Sequence, residues 1–282
     1  MRLVKMIGGL GNQMFIYAFY LQMRKRFSNV RIDLTDMMHY NVHYGYELHK
    51  VFGLPRTEFC MNQPLKKVLE FLFFRTIVER KQHGRMEPYT CQYVWPLVYF
   101  KGFYQSERYF SEVKDEVREC FTFNPALANR SSQQMMEQIQ NDPQAVSIHI
   151  RRGDYLNPKH YDTIGCICQL PYYKHAVSEI KKYVSNPHFY VFSEDLDWVK
   201  ANLPLENAQY IDWNKGADSW QDMMLMSCCK HHIICNSTFS WWAAWLNPSV
   251  EKTVIMPEQW TSRQDSVDFV ASCGRWVRVK TE

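Results

Sequence analysis

Short apolar runs that stop at glycine or charge alternate along this chain with longer runs at helical spacing. Leu3 to Ile7 is a first such run and predicts a strand. Gly8-Gly9-Leu10-Gly11 is a turn, and Asn12 to Phe27 follows as a helix-length segment with almost no polar face before Arg24-Lys25-Arg26. A helix apolar all round is buried. Pro64 suits the first turn of a helix running to Lys81. Ser106 reads as an N-cap, with Tyr109, Phe110, Val113 and Val117 forming the apolar stripe behind it.

The stretch from Asn124 to Asn141 is polar, with Ser131 and Ser132 as start signals, and it ends at the break Asn141-Asp142-Pro143. A domain boundary near residue 140 follows, giving domains 1–140 and 141–282. Beyond it the alternation repeats. Strands are predicted over Val146 to Ile150, His188 to Phe192, Tyr210 and Ile211, His231 to Cys235 and Thr253 to Met256. Helices fall between them over Pro171 to Val184, Ser219 to Cys229 and Phe239 to Leu246. Strands separated by helices of this length imply parallel sheets with right-handed crossovers. The expected architecture is α/β: two Rossmann-like lobes whose parallel sheets face a central cleft.

Composition narrows the function. A net charge of +4 in 282 residues suits a phosphate-bearing ligand or an anionic surface, and is too weak for a nucleic-acid stripe. Nine cysteines, an odd number without a C-x-x-C pair, argue against a disulfide framework or zinc finger and for reduced thiols in a cytoplasmic protein. Met1 to Ile7 is too short for a signal peptide, and no apolar run reaches the roughly 20 residues of a membrane span. Membrane contact is therefore at most peripheral. The segment Pro64 to Lys81, with Lys66, Lys67, Arg75, Arg80 and Lys81 beside Val68, Phe71 and Leu72, is a place for it, or else a core helix with a solvated basic edge.

Three segments carry chemistry, and each follows a predicted strand. Gly8-Gly9-Leu10-Gly11-Asn12-Gln13 lets backbone approach a ligand at a helix start. Its spacing is not that of a dinucleotide fingerprint. His149-Ile150-Arg151-Arg152-Gly153-Asp154 stands where open α/β sheets bind ligands. Adjacent guanidiniums need balancing anions, and a diphosphate accepts their bidentate bonds; a structural cluster with Asp154 neutralising one arginine is the alternative. Asn236-Ser237-Thr238 opens a helix and offers hydroxyls with free N–H groups to an anion, or caps the helix and nothing more. Asp222, on the preceding helix, is of the type that accepts from a guanine edge. Asp195-Leu196-Asp197 has the form of a metal-holding D-x-D, but the arginines already supply the positive charge, so no metal is expected. Cys228-Cys229-Lys230-His231-His232 is too contiguous to converge on one tetrahedral ion.

Together these motifs resemble those of the alpha-1,2-fucosyltransferase family, close to its short bacterial members. The match is carried by IGGLGNQMFIYAF at 7–19, GFYQSERYF at 102–110, HIRRGDY at 149–155, FSEDLDW at 192–198 and CNSTFSWWAAWLN at 235–247. The resemblance implies a GT-B-type fold, GDP-fucose as donor substrate with no cofactor, a galactoside acceptor (lipid-linked glycans included) and inversion without a metal. It implies His149 near guanine, Arg151 and Arg152 at the diphosphate, Asp222 pairing with guanine, and Asn236, Ser237 and Thr238 around the phosphates. Gly9, Gly11 and Asn12 would line the cleft from the first lobe. Arg152, Asp154 and His149 are the expected catalytic set, with Asp154 either the base or the residue that orients Arg152. Asn12, Gln13, Tyr104 and Gln105 are expected at the acceptor. A GDP-sugar transferase using a different hydroxyl, and a silent glycan-binding protein, are the alternatives.

Overall fold

A computed structural model describes residues 1–37, 44–54, 58–60, 62–72, 74–79, 97–262 and 276–282. The strands are β1 (Arg2–Lys5), β2 (Val30–Asp33), β3 (Glu58–Phe59), β4 (Arg75–Val78), β5 (Val98–Lys101), β6 (Ala145–Ile150), β7 (His188–Ser193), β8 (Ala208–Ile211), β9 (His231–Ile233), β10 (Val254–Pro257) and β11 (Val277–Val279). The helices are α1 (Leu10–Arg26), α2 (Leu48–Phe52), α3 (Gln63–Leu72), α4 (Lys114–Cys120), α5 (Arg130–Gln140), α6 (Pro158–His160), α7 (Leu170–Ile180), α8 (Leu196–Asn202), α9 (Trp220–Cys228) and α10 (Thr238–Leu246). The chain divides into two compact units at Phe123 and Asn124. Each holds an all-parallel sheet, in the orders β3-β2-β1-β5-β4 and β11-β10-β9-β6-β7-β8 among the described residues.

That division falls earlier than residue 140, because α5 is tied to the second unit. Asn129 caps α5 by accepting from the Ser132 N–H at 2.9 Å, and its own N–H donates to Gln221 on α9. Its amide and the Ser132 hydroxyl both donate to Asn214. The start signal is therefore Asn129, two residues before the serines.

The first unit is built around α1, whose residues from Gly11 to Met23 are buried except for Asn12. Ser106 caps a 3-10 turn over Glu107–Phe110, and α4 follows it. The segment from Pro64 to Lys81 is not one helix. Helical spacing ends at Leu72, and the β-branched Thr76, Ile77 and Val78 form β4 beside β5. Phe73, Arg80 and Lys81 lie outside the described residues. Lys66 is buried, paired with Asp33 at 3.1 Å and Asp36 at 2.9 Å, so it anchors α3 to the sheet and offers no charge to a surface. Phe71 and Leu72 are exposed. No helix of the described residues is long and apolar enough to cross a membrane.

In the second unit β6, buried at all six positions, is the central strand. Trp241 and Trp242 of α10 are fully buried and meet edge to face with ring centres 5.1 Å apart. Seven cysteines among the described residues are free thiols.

Candidate active site

In the Gly8-Gly9-Leu10-Gly11 turn of the first unit the glycine that its conformation demands is Gly8, at φ +84°. A Cβ there would lie 2.9 Å from the Asn12 Cβ. Gly9 is the extended N-cap of α1, and Gly11 is buried inside the helix. With no side-chain cap and no acid in its first turn, α1 is met at its start by the Glu47 carboxyl, which accepts from the Leu10 N–H. Burial raises the Glu47 carboxyl to about 7, offset in part by the Leu10 N–H that donates to it. Gln13 is spent inside the fold: its amide donates to Gly8 and Gly45 carbonyls, and its oxygen accepts from the Glu47 N–H. Tyr104 is also internal, stacked on Phe19 with ring centres 3.8 Å apart. Both are thereby removed from the expected acceptor surface. Asn12 and Gln105, joined by a 2.7 Å hydrogen bond, stay partly exposed. Gly8→Ala should cost about 2 kcal/mol or more, since it adds left-handed strain to a backbone-proximal clash. Calorimetry checks this as a lowered Tm; an unchanged Tm would contradict the reading.

The charged centre lies in the second unit, at the carboxyl edge of its sheet. β6 and β7 pair in register, with Ile150 beside Ser193. Continuing that register past the strand ends places residue 151 beside 194 and 152 beside 195. The ion pairs follow it. Arg151 pairs with Glu194, and Arg152 Nε donates to Asp195 Oδ2 at 3.0 Å. Asp154 accepts from Arg151 Nη2 at 2.8 Å, so the arginine it orients is Arg151 and not Arg152. Glu194 also accepts from the Arg152 backbone N–H at 3.3 Å. Gly153 leaves room for that carboxylate, since a Cβ there would sit 3.2 Å from it.

Arg152 is stacked on Trp198, its guanidinium carbon 3.7 Å from the ring centre. Among the described residues its two terminal amino groups carry no hydrogen bond. The result is a guanidinium fork held from behind with its outer donors open. Asp195 has two tasks: it also caps α8 by accepting from the Trp198 N–H. Among the described residues no three His, Cys, Asp or Glu side chains gather into a group that could hold a metal ion.

Beside the arginines, β9 runs out into Cys235, Asn236 and Ser237. Ser237 caps α10, accepting from the Phe239 N–H at 3.3 Å, and the partly exposed Thr238 begins the helix. Asn236 is buried, and both its amide hydrogens go to carbonyls, Ile164 at 2.9 Å and Trp260 at 3.1 Å. Its carbonyl accepts from the Tyr155 hydroxyl. Asn236 thus shapes the loop and has no amide hydrogen left for a ligand. His149 is 5% exposed, and burial, with Arg151 nearby, lowers its pKa to about 3, so the ring is neutral. Asp222 on α9 accepts from Asn214 at 2.8 Å, and burial lifts its carboxyl to about 7. Asn214 in turn is held by Asn129 and Ser132.

Glu194, Asn214 and Trp198 were not legible as site residues on their own. The signal for Glu194 was the strand register, and that requires knowing that β6 and β7 are neighbours.

This fold has known counterparts. The family described as Glycosyl transferase family 11 matches residues 2–272. An alpha-1,2-colitosyltransferase of Escherichia coli is 33% identical, covering 98% of both chains. The human galactoside alpha-(1,2)-fucosyltransferase 1 is 27% identical over 54% of this chain and 43% of its own length. Among solved structures, the fucosyltransferase NodZ from Bradyrhizobium superposes with a TM-score of 0.52 at 12% identity, over 88% of this chain and 92% of that one. The chain belongs to glycosyl transferase family 11, and its two parallel-sheet units are those of a GT-B glycosyltransferase.

Proposed function

We propose that the chain transfers L-fucose from GDP-fucose to the 2-hydroxyl of a terminal galactose, with inversion and without a metal. The observation that carries this is the open fork of Arg152, backed by Asp195 and Trp198 beside the N-terminus of α10. Cleaving the C1–O bond builds negative charge on the departing β-phosphate, and fixed donors stabilise it without reorganising. Arg152 takes that role, with the Thr238 end of α10 adding N–H groups and a hydroxyl. Arg151, held by Asp154 and Glu194, contributes its remaining donors to the diphosphate. Asp222 accepts from the guanine edge.

Inversion fits the carboxylates. Asp154, Glu194 and Asp195 are each paired with an arginine, which leaves the acceptor oxygen as the attacking nucleophile in a single displacement. Peripheral contact with an anionic surface, through the exposed Phe71 and Leu72, belongs to the same reading.

A second donor is favoured by one finding, the 33% identical relative that carries the name of a colitosyltransferase. Colitose is fucose without its 3-hydroxyl, and the relative's name carries the same alpha-1,2 linkage. Release of GDP from each nucleotide sugar, with and without lactose, distinguishes them. Acceptor-dependent release from GDP-fucose, undiminished by excess EDTA, is the expected result. Release from GDP-colitose alone would replace the donor, and activity abolished by EDTA and restored by magnesium or manganese would overturn the metal-free mechanism.

A further inference from the structure

The ring of His149 is almost wholly enclosed, yet among the described residues it has one hydrogen-bond partner, the Cys235 sulfur, 3.3 Å from Nδ1. Nε2 has none. Which nitrogen carries the proton decides what the ring offers a ligand. The surroundings of the sulfur bear on this. Ser240, the other neighbour of Cys235, is farther away at 3.8 Å and also lies within hydrogen-bond reach of the Ser237 carbonyl, 3.4 Å from its hydroxyl. The Arg151 backbone N–H points at the sulfur as a donor. The thiol proton therefore has the imidazole nitrogen as its nearest and strongest acceptor. Burial pushes the thiol up to about 12 and the imidazole down to about 3, so both groups are neutral across the working range.

We infer that Cys235 is a positioning residue for His149: its S–H donates to Nδ1, fixes the proton on Nε2 and turns that nitrogen into a hydrogen-bond donor. The inference rests on the proposed nucleotide-sugar site and adds the polarity of one of its contacts. His149 meets a lone pair, a phosphate, ribose or guanine acceptor, and does not meet an N–H or O–H. Phe239, with its ring centre 5.7 Å from the imidazole, and Cys235 together hold the ring plane. The role is one of aim: Cys235 touches His149 and not the substrate.

Nitrogen-15 NMR of histidine-labelled protein reads the tautomer directly, with the His149 signals assigned by their loss in His149→Gln. The expected spectrum at pH 7 has Nδ1 as an unprotonated, pyridine-type nitrogen and Nε2 as the pyrrole-type one. Cys235→Ala should broaden or mix the two forms and weaken GDP binding by about 3- to 10-fold, the effect of misdirecting one hydrogen bond. Cys235→Ser, which keeps a donor at that position, should restore both. A pyrrole-type Nδ1 in the unsubstituted protein overturns the inference whether or not any variant folds. An unmoved tautomer together with unmoved GDP affinity in Cys235→Ala does the same. The tautomer needs no substrate to be measured. An Nε2–H ring in a protein that binds no GDP would therefore reject the nucleotide-sugar reading and keep the Cys235–His149 geometry.

Discussion

Arg152→Ala is expected to lower kcat/KM by at least about 100-fold while leaving the protein folded, the usual loss when one donor to a developing oxyanion is removed. The magnitude follows from how the side chain is held. Asp195 fixes Nε at 3.0 Å, Trp198 fixes the plane at 3.7 Å, and the outer amino groups remain for the leaving phosphate. The orientation is therefore set before substrate arrives, and the donors stabilise charge that appears only in the transition state. Arg152→Lys should recover little, because an ammonium supplies a point charge without the planar fork and cannot be oriented through an Nε–H. Asp195→Ala should fall between wild type and Arg152→Ala, since it frees the fork without removing it. Steady-state kinetics on variants with unchanged circular dichroism check the series. Near-normal turnover in a folded Arg152→Ala protein would make this arginine a structural residue only.

The second large effect is expected at Asp222. Its carboxyl, lifted to about 7 by burial, must be ionised to accept two N–H groups from guanine. GDP affinity should therefore fall as pH drops below about 7, by at most tenfold per unit, and level off above it. The stability of the free protein runs the other way. The folded state holds this proton above the ordinary aspartate value of 3.8, so the group's contribution is fully present below that value and is lost as pH rises through about 7. Thermal unfolding should show GDP adding more to Tm at pH 8 than at pH 6, while Asp222→Asn weakens GDP binding and flattens both trends. Calorimetric titration at several pH values measures the first part. An affinity independent of pH, or one unchanged by Asp222→Asn, would remove Asp222 from the guanine site. Asn214 belongs to the same prediction, because it holds Oδ1 and leaves the other oxygen to the base.

What the sequence disclosed and what it hid differ in kind. The apolar run that ends at Ile150 announced a strand edge, and β6 is buried at every position up to that point. The N-cap role of Ser106, the helix read over Phe239 to Leu246 and the parallel pairing of the second unit's strands are local or periodic signals, and they were legible. Partners across strands were not. Asp195 stood in plain view as half of a D-x-D, yet its service to Arg152 depends on the β6–β7 register. Glu194 was hidden for the same reason. Burial misled in the first unit. Gln13 and Tyr104 looked like sugar-binding amide and aromatic groups, but one stitches Gly8, Gly45 and Glu47 together and the other stacks on Phe19. In the segment after Pro64, a basic residue taken for a solvated edge is the buried ion partner of Asp33, and a continuous apolar run conceals the change of period from helix to strand. The boundary near residue 140 failed because the Asn-Asp-Pro break ends a helix whose first turn is already bonded to Asn214 and Gln221.

The linkage and anomeric configuration of the product test the central claim most directly. The protein is incubated with GDP-fucose and with lactose or N-acetyllactosamine, and the purified trisaccharide is examined by NMR. The expected product carries an α-linked fucose on the 2-hydroxyl of galactose, formed from a β-linked donor. A fucose on a hydroxyl of the reducing-end sugar, or a product that retains the β configuration, would contradict it.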